Sequence, residues 1–378
     1  MSADFAAIRR EEFPSLSEAI YLNSASIGPL PERSRRRLDE YNALRAAPYR
    51  MNDHDFFSEL DRARALSARL LNVTPGEIAL AFNTSYGLNV AARGLPLEPG
   101  DVVLASDREF PANVYPWMRL ADRGVTLELT PVTAEGWPDE DRMVERMADP
   151  KVRVLAVSLV QFSNGYRVDL DRLSRRARET DTFLVVDAIQ GLGAVPVDLA
   201  ATPVDILSCG GQKWLLSPWG SGFVYVRKDL IPVVQPVVMG WMAFEGTDDF
   251  TRLTDYDPQL RQDAKRYEMI SLPFQDFAGF NSSLELLLEV GVPAIAGHIR
   301  SLHAPVLDWA SRRGVRIASP VGEHGSAIVC VAVPDPAEAY RAIRAQGVVA
   351  SVREGAIRLS PHLFNTIDEM ERVVGMLG

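Results

Sequence analysis

A chain of 378 residues with 47% hydrophobic content can bury a large core and divides naturally into two or so domains. Its net charge of −10, with arginines scattered along the sequence, argues against nucleic-acid binding. No stretch resembles a signal peptide or approaches the roughly 18 apolar residues of a membrane span.

In chain order, Arg33-Ser-Arg-Arg-Arg37 is the densest basic run; Glu32, Asp39 and Glu40 flank it, so it reads as a solvated helix face. A helical pattern follows over Phe56–Leu71. From there short apolar runs alternate with amphipathic ones. Strands are predicted over Glu77–Phe82, Val102–Ala105, Thr126–Thr130, Val152–Leu159, Phe183–Val186, Ile206–Ser208 and Gly222–Val226. Helices are predicted over Ser85–Arg93, Ala112–Asp122 and Leu170–Glu179. Most of these strands are rich in Val, Leu and Ile without alternation, as when both faces are covered. Strand–helix repetition of this kind predicts a mostly parallel central sheet covered by helices, with ligands at the C-terminal strand ends.

Pro232, Pro236 and the glycines around Trp241 interrupt the pattern, and the acidic stretch Glu245–Asp263 reads as a long loop. A helix-rich segment returns after Pro273. Two apolar strands, Ala327–Val333 and Val348–Val352, and a helix from Thr366 close the chain. The expected organisation is a large domain over 21–260, a smaller C-terminal α+β domain over 261–378, and residues 1–20 packed on the small domain.

Lys213 carries the most chemical information. Only four lysines occur (Lys151, Lys213, Lys228, Lys265), and this one follows an apolar strand and Gly210-Gly211, with Trp214 behind it. Burying an ammonium costs free energy unless it is neutralised, and a lysine of lowered pKa is the nucleophile that joins aldehydes. The ordinary alternative is a loop lysine. Asp187 ends the most apolar strand and needs a cation or donors there; a protonated pyridine nitrogen meets that need, whereas a plain cap would also place an Asp. In a parallel sheet the ends of these successive strands emerge on one edge, so Asp187 and Lys213 can face one ligand.

Other candidates follow strands on the same edge. Asn83-Thr84-Ser85 opens a helix, where amides and the Thr84 hydroxyl suit a phosphate; Thr84 could equally be an N-cap. Phe110 could stack on a bound ring or sit in the core. Asn164 could donate to a ligand or make an Asx turn, and Gln190 could reach a pyridine 3′-oxygen. Arg358 lies inside an apolar strand, suited to bidentate capture of a carboxylate or to a surface ion pair. The five histidines show no metal-ligand spacing, so no metal site is expected. Two cysteines, Cys209 and Cys330, fit a reducing cytoplasm.

These loops, in this order, resemble the class V aminotransferase and cysteine desulfurase family of fold-type I PLP-dependent enzymes, from Tyr21-Leu-Asn-Ser-Ala-Ser26 to Arg358-Leu-Ser-Pro-His362. The resemblance implies pyridoxal 5′-phosphate (PLP) as cofactor and an amino acid as substrate. It places Thr84, with Ser85, on the phosphate, Phe110 on the ring, Asn164 and Gln190 near the 3′-oxygen, Asp187 on the ring nitrogen and Gln212 beside the Schiff-base lysine, Lys213. It gives Arg358 the substrate carboxylate, with Asn23 and Ser26 close by. Arg266-Tyr-Glu-Met-Ile-Ser271 resembles the family's Arg-Phe-Glu-x-Gly-Thr, so Ser271 would reach the phosphate of a partner subunit in a homodimer.

The departures from the family pattern narrow the activity. Phe110 stands where desulfurases stack a His, Gln212 where a His often precedes the lysine, and Gly210 where a phosphate-binding Ser is common. The stretch Val348–Ile357 lacks the persulfide-forming cysteine. An aminotransferase is expected, with a C–S lyase or an epimerase as alternatives. A nicotinamide-dependent oxidoreductase is the remote alternative, because Gly191-Leu-Gly193 lacks the third fingerprint glycine.

Overall fold

The computed structural model describes residues 3–377. After a short strand β1 (Ile20–Tyr21), seven strands form the central sheet: β2 (Ile78–Leu80), β3 (Val102–Ser106), β4 (Thr126–Thr130), β5 (Val152–Ser158), β6 (Phe183–Asp187), β7 (Ile206–Gly210) and β8 (Gly222–Val226). Their order is β2-β8-β7-β6-β5-β3-β4, and β8 alone runs against the others. The C-terminal ends of the remaining six therefore share one edge, as the alternating pattern predicted. Strands β3, β7 and β8 are buried along their whole length, so both faces carry core packing. Each fully buried Val or Leu there contributes about 1.5–3 kcal/mol. Strand β4 closes one end of the sheet, and its Glu128 turns outward to Arg146.

Helix starts are fixed by side chains that accept otherwise unpaired amides. Asn83 caps Thr84–Gly94 by accepting from the Tyr86 N–H at 3.0 Å, and Asp169 does the same for Leu170–Glu179. The helix expected over Ala112–Asp122 is broken. Pro116 cannot donate, and the segment folds as one α-turn (Tyr115–Met118) between the short 3-10 stretches Pro111–Asn113 and Arg119–Arg123.

The C-terminal part builds an antiparallel sheet in the order β12-β13-β10-β9, from β9 (Arg316–Ile317), β10 (Val329–Ala332), β12 (Ser351–Arg353) and β13 (Ala356–Leu359). The single strand expected over Val348–Val352 is two. β11 (Val348–Val349) pairs in parallel with β1, and the chain changes partner at Ala350 before β12 joins β13. Ile20 and Leu22 thereby enter a core shared with Leu302, Val329, Ile357 and Val373.

Helix Phe274–Val290 packs Phe277, Phe280, Leu284 and Leu287 into the core of the large sheet. It sits against the helices Glu32–Arg45 and Asp53–Leu71. A boundary at residue 260 would cut this packing. The structure instead bends by 76° at Gly291, before helix Val292–Arg313, and we place the division there. Among the described residues no single helix is long and apolar enough to cross a membrane.

Candidate active site

β7 ends at Gly210, and the chain turns through Gly211 and Gln212 to present Lys213 at the shared sheet edge. The N-terminal segment holds this turn from outside. The Gly28 N–H donates to the Gln212 carbonyl at 2.8 Å. A Cβ on Gly28 would stand 2.0 Å from the Lys213 carbonyl oxygen, so only glycine permits that approach. Lys213 Nζ lies 5.8 Å from the centroid of the Phe110 ring. Burial pushes the lysine down to about 8, against the opposing pull of Asp187.

Asp187 closes β6 and is buried. Its Oδ1 accepts the Ile189 N–H at 3.0 Å, and no ion pair reaches it among the described residues. Burial pushes its carboxyl up to about 7; the Ile189 amide and Lys213 pull down, and Glu109 pushes up. A buried carboxylate with one donor is short of a partner. A cationic ring nitrogen would supply it.

Thr84 and Gly210 form a second corner. The Gly210 N–H donates to Thr84 Oγ1 at 2.9 Å, and Ser208 Oγ donates to the Thr84 carbonyl at 2.9 Å. Asn83, not Thr84, is the cap, and the amides of Thr84 and Ser85, the first two of an eleven-residue helix, have no intrahelical acceptor. A Cβ on Gly210 would meet Gln212 Oε1 at 2.5 Å and Thr84 Oγ1 at 3.3 Å, which puts Gln212 in the same corner. Free helix-start amides and hydroxyls make a cradle that suits a phosphate.

Arg358, on β13, is 2% exposed. Its Nη1 donates to the Phe162 carbonyl at 2.8 Å, Nη2 to Ser26 Oγ at 2.9 Å and Nε to Ser351 Oγ at 3.2 Å. No carboxylate lies within 4.0 Å among the described residues. Burial, then Arg353, pushes its pKa down to about 10. The surface ion pair weighed for Arg358 is absent from the described residues; the guanidinium is buried with no anion.

Two candidates are committed in part to protein partners. Asn164 makes the Asx turn, with Oδ1 accepting the Tyr166 N–H at 2.9 Å and Nδ2 donating to the Gly136 carbonyl at 2.9 Å. Gln190 Nε2 donates to the Ala25 carbonyl and its Oε1 accepts from Trp214 Nε1, both at 3.0 Å, so Gln190 braces the indole behind Lys213. Each amide keeps one hydrogen for a ligand. Ser271 is exposed. The loop before it is anchored by Glu268, which accepts from Arg64 at 2.6 and 2.8 Å and from the Leu80 N–H at 2.8 Å. Asn23 pairs with Ser360 beside Arg358, and its Oδ1 is buried without a partner.

Glu109 was not among the sequence candidates. It is buried, accepts from the Ser158 N–H at 2.9 Å, from Ser158 Oγ and from Gln161 Nε2 at 2.7 Å, and clips the Phe110 loop to the end of β5. The acid preceding Phe110 was visible in the sequence, but its partners lie about fifty residues on, as the separations of 49 and 52 show.

Comparison with known proteins agrees with this geometry. The model of the family "Aminotransferase class-V" matches residues 20–373, and the chain belongs to that family of PLP-dependent enzymes. Its members include aminotransferases, cysteine desulfurases and epimerases. The chain is 26% identical over 366 residues to the uncharacterized aminotransferase YcbU of Bacillus subtilis, covering 97% of this chain and 95% of that protein. It is 28% identical over 379 residues to isopenicillin N epimerase of Streptomyces clavuligerus, covering 95% and 94%. In three dimensions it matches a Lys-to-Ala variant of C-DES with glycine covalently linked to its PLP cofactor. That TM-score is 0.88 at 20% identity, over 97% of this chain and 98% of the other. The cofactor of this chain is pyridoxal 5′-phosphate, and the unpaired Asp187 and the Thr84 corner fit it.

Proposed function

We propose that the chain is an aminotransferase that acts on an α-amino acid with Lys213 as its proton-transfer group. One observation carries the reading. A half-buried lysine, a buried carboxylate without a cation and a buried arginine without an anion meet at one end of the sheet. Lys213 would hold the cofactor through Nζ, Asp187 would face the ring nitrogen, Phe110 would lie on the ring, and Thr84, Ser85 and Gln212 would hold the phosphate. Asn164 and Gln190 would each offer a remaining amide hydrogen to the ring oxygen.

When bound, the cofactor's pyridinium ring draws electron density from the substrate's Cα. Arg358, with Ser26 and Asn23 beside it, takes the α-carboxylate and so turns the Cα–H toward Lys213. Nζ, near 8, is available as a base close to neutral pH and returns its proton after accepting one. Phe110 has no proton to give, so that duty stays with Lys213. Sulfur transfer through a mobile cysteine has no support: residues 348–357 contain none, and Cys209 and Cys330 are buried, with the Cys330 thiol pushed up to about 11 by burial.

The likeness to an epimerase over nearly the whole chain favours one second reading, reprotonation at Cα rather than transfer of the amino group. We also propose a cytoplasmic homodimer in which Ser271 of one subunit reaches the phosphate site of the other. The exposed apolar side chains Tyr115, Met118, Val237, Val238 and Met239 are consistent with a covered surface.

The test is an amino acid panel added to the purified holoenzyme without any keto acid, followed by absorbance. Conversion of the visible band to that of pyridoxamine phosphate, with one keto acid released per site, supports transamination. Loss of optical purity with the band retained points to epimerisation. A retained band with products accumulating over many turnovers points to a lyase.

A further inference from the structure

We infer that Arg353 reads a second carboxylate, so that the substrates are α-amino dicarboxylic acids; this rests on Arg358 taking the α-carboxylate. The register of β12 and β13 sets the placement. Ser351 lies opposite Arg358, Val352 opposite Ile357 and Arg353 opposite Ala356. Side chains alternate between faces of a strand, so Ser351, Arg353, Ala356 and Arg358 share one face. The 3.2 Å hydrogen bond between Arg358 Nε and Ser351 Oγ shows that this face looks onto the site. Val352 and Ile357 take the opposite face, and Ile357 is buried in the small-domain core.

Arg353 thus stands two residues along the strand from the partner of Arg358, an advance of about 7 Å. That is on the scale of the separation between the two carboxylates of a four- to six-carbon diacid. Its guanidinium donates from Nη1 to the Val352 carbonyl at 2.8 Å and has no carboxylate within 4.0 Å among the described residues. Several surface arginines of this chain pair with acids, as Arg35 and Arg36 do with Glu32, Arg146 with Glu128, Arg172 with Asp141 and Arg227 with Asp229; Arg353, exposed at the end of β12, is among those that do not. After burial, Arg353 is the next influence that lowers Arg358, and it also acts on Lys213 behind burial, Asp187, Arg358 and Cys209. The site mouth therefore carries two guanidinium groups with no paired acid. An ω-carboxylate satisfies the outer one with hydrogen bonds that an amide or alkyl end cannot match.

Calorimetric titration of the holoenzyme with glutarate and with valerate, acids of equal carbon number, separates the two arginines. Glutarate is expected to bind at least about tenfold more tightly than valerate. Arg353→Gln should abolish that advantage and leave valerate affinity in place, Arg353→Lys should keep part of it, and Arg358→Gln should weaken both acids. Equal affinities in the parent protein, or a preference for glutarate that survives Arg353→Gln, would overturn the inference while leaving the role of Arg358 intact. Indifference of both acids to Arg358→Gln would instead overturn the carboxylate site on which it rests. Aspartate and glutamate should likewise exceed asparagine and glutamine as amino donors, a difference that Arg353→Gln removes.

Discussion

Ser26 and Arg358, 332 positions apart in sequence, meet through a 2.9 Å hydrogen bond from Nη2 to Oγ. The N-terminal segment that carries Ser26 pairs through β1 with β11 and also donates the Gly28 amide to the lysine turn. One short segment therefore fixes the distance between the arginine and Lys213, the two groups that we propose act on the carboxylate and the Cα–H of the same small substrate.

Arg358→Lys keeps a cation but loses the planar fork and its contacts to Phe162 and Ser26. Steady-state kinetics should show KM for the amino acid raised about 10- to 100-fold, or ~1.4–2.8 kcal/mol, with the cofactor's visible band unchanged. A normal KM would remove Arg358 from the substrate site.

The lysine turn should not tolerate a side chain at Gly28. Gly28→Ala drives a methyl group to within 2.0 Å of the Lys213 carbonyl oxygen unless the backbone moves. Thermal unfolding should register a loss of about 1–3 kcal/mol. Activity should fall further than stability, because the displaced backbone carries Lys213.

Asp187 makes the cofactor-free protein sensitive to pH. Burial raises its folded-state pKa to about 7, above the usual value for an unfolded Asp. The folded state therefore holds a proton that the unfolded state has lost between about pH 4 and 7, and stability falls as pH rises through that window. Asp187→Asn removes the dependence and should stabilise the cofactor-free protein by about 2–4 kcal/mol at pH 8. The same variant should bind the cofactor less tightly. Unfolding curves at pH 5 and pH 8 that shift equally for both proteins would contradict this.

Neither cysteine should behave as a catalytic thiol. With Cys209 and Cys330 buried and both thiols pushed up by burial, alkylation at pH 8 should leave the native protein unlabelled over the time that labels the unfolded chain completely. Rapid labelling with loss of activity would bring sulfur transfer back.

Much of the site was legible because a parallel sheet gathers consecutive strand ends on one edge. Reading Asp187 after one apolar run and Lys213 after a later one was enough to bring them together. What a strand end donates after it turns is set by tertiary partners, and that part was hidden. Asn164 spends its amide on Tyr166 and Gly136, Gln190 braces Trp214, and Glu109 finds Ser158 and Gln161 from the neighbouring strand. The small-domain sheet was blurred for a related reason: Val348–Val352 reads as one extended stretch, yet the change of partner at Ala350 depends on β1, more than 300 residues earlier, as the 335-residue separation of Ala25 from Ser360 in the same region illustrates.

The central claim is that Lys213 holds the cofactor, and borohydride reduction of the holoenzyme followed by peptide mass mapping tests it most directly. The expected result is a stable pyridoxyl-phosphate adduct on the peptide containing Lys213 and on no other, lost in Lys213→Ala. An adduct on Lys151, Lys228 or Lys265 with Lys213 unmodified, or an unchanged visible band in Lys213→Ala, would contradict it.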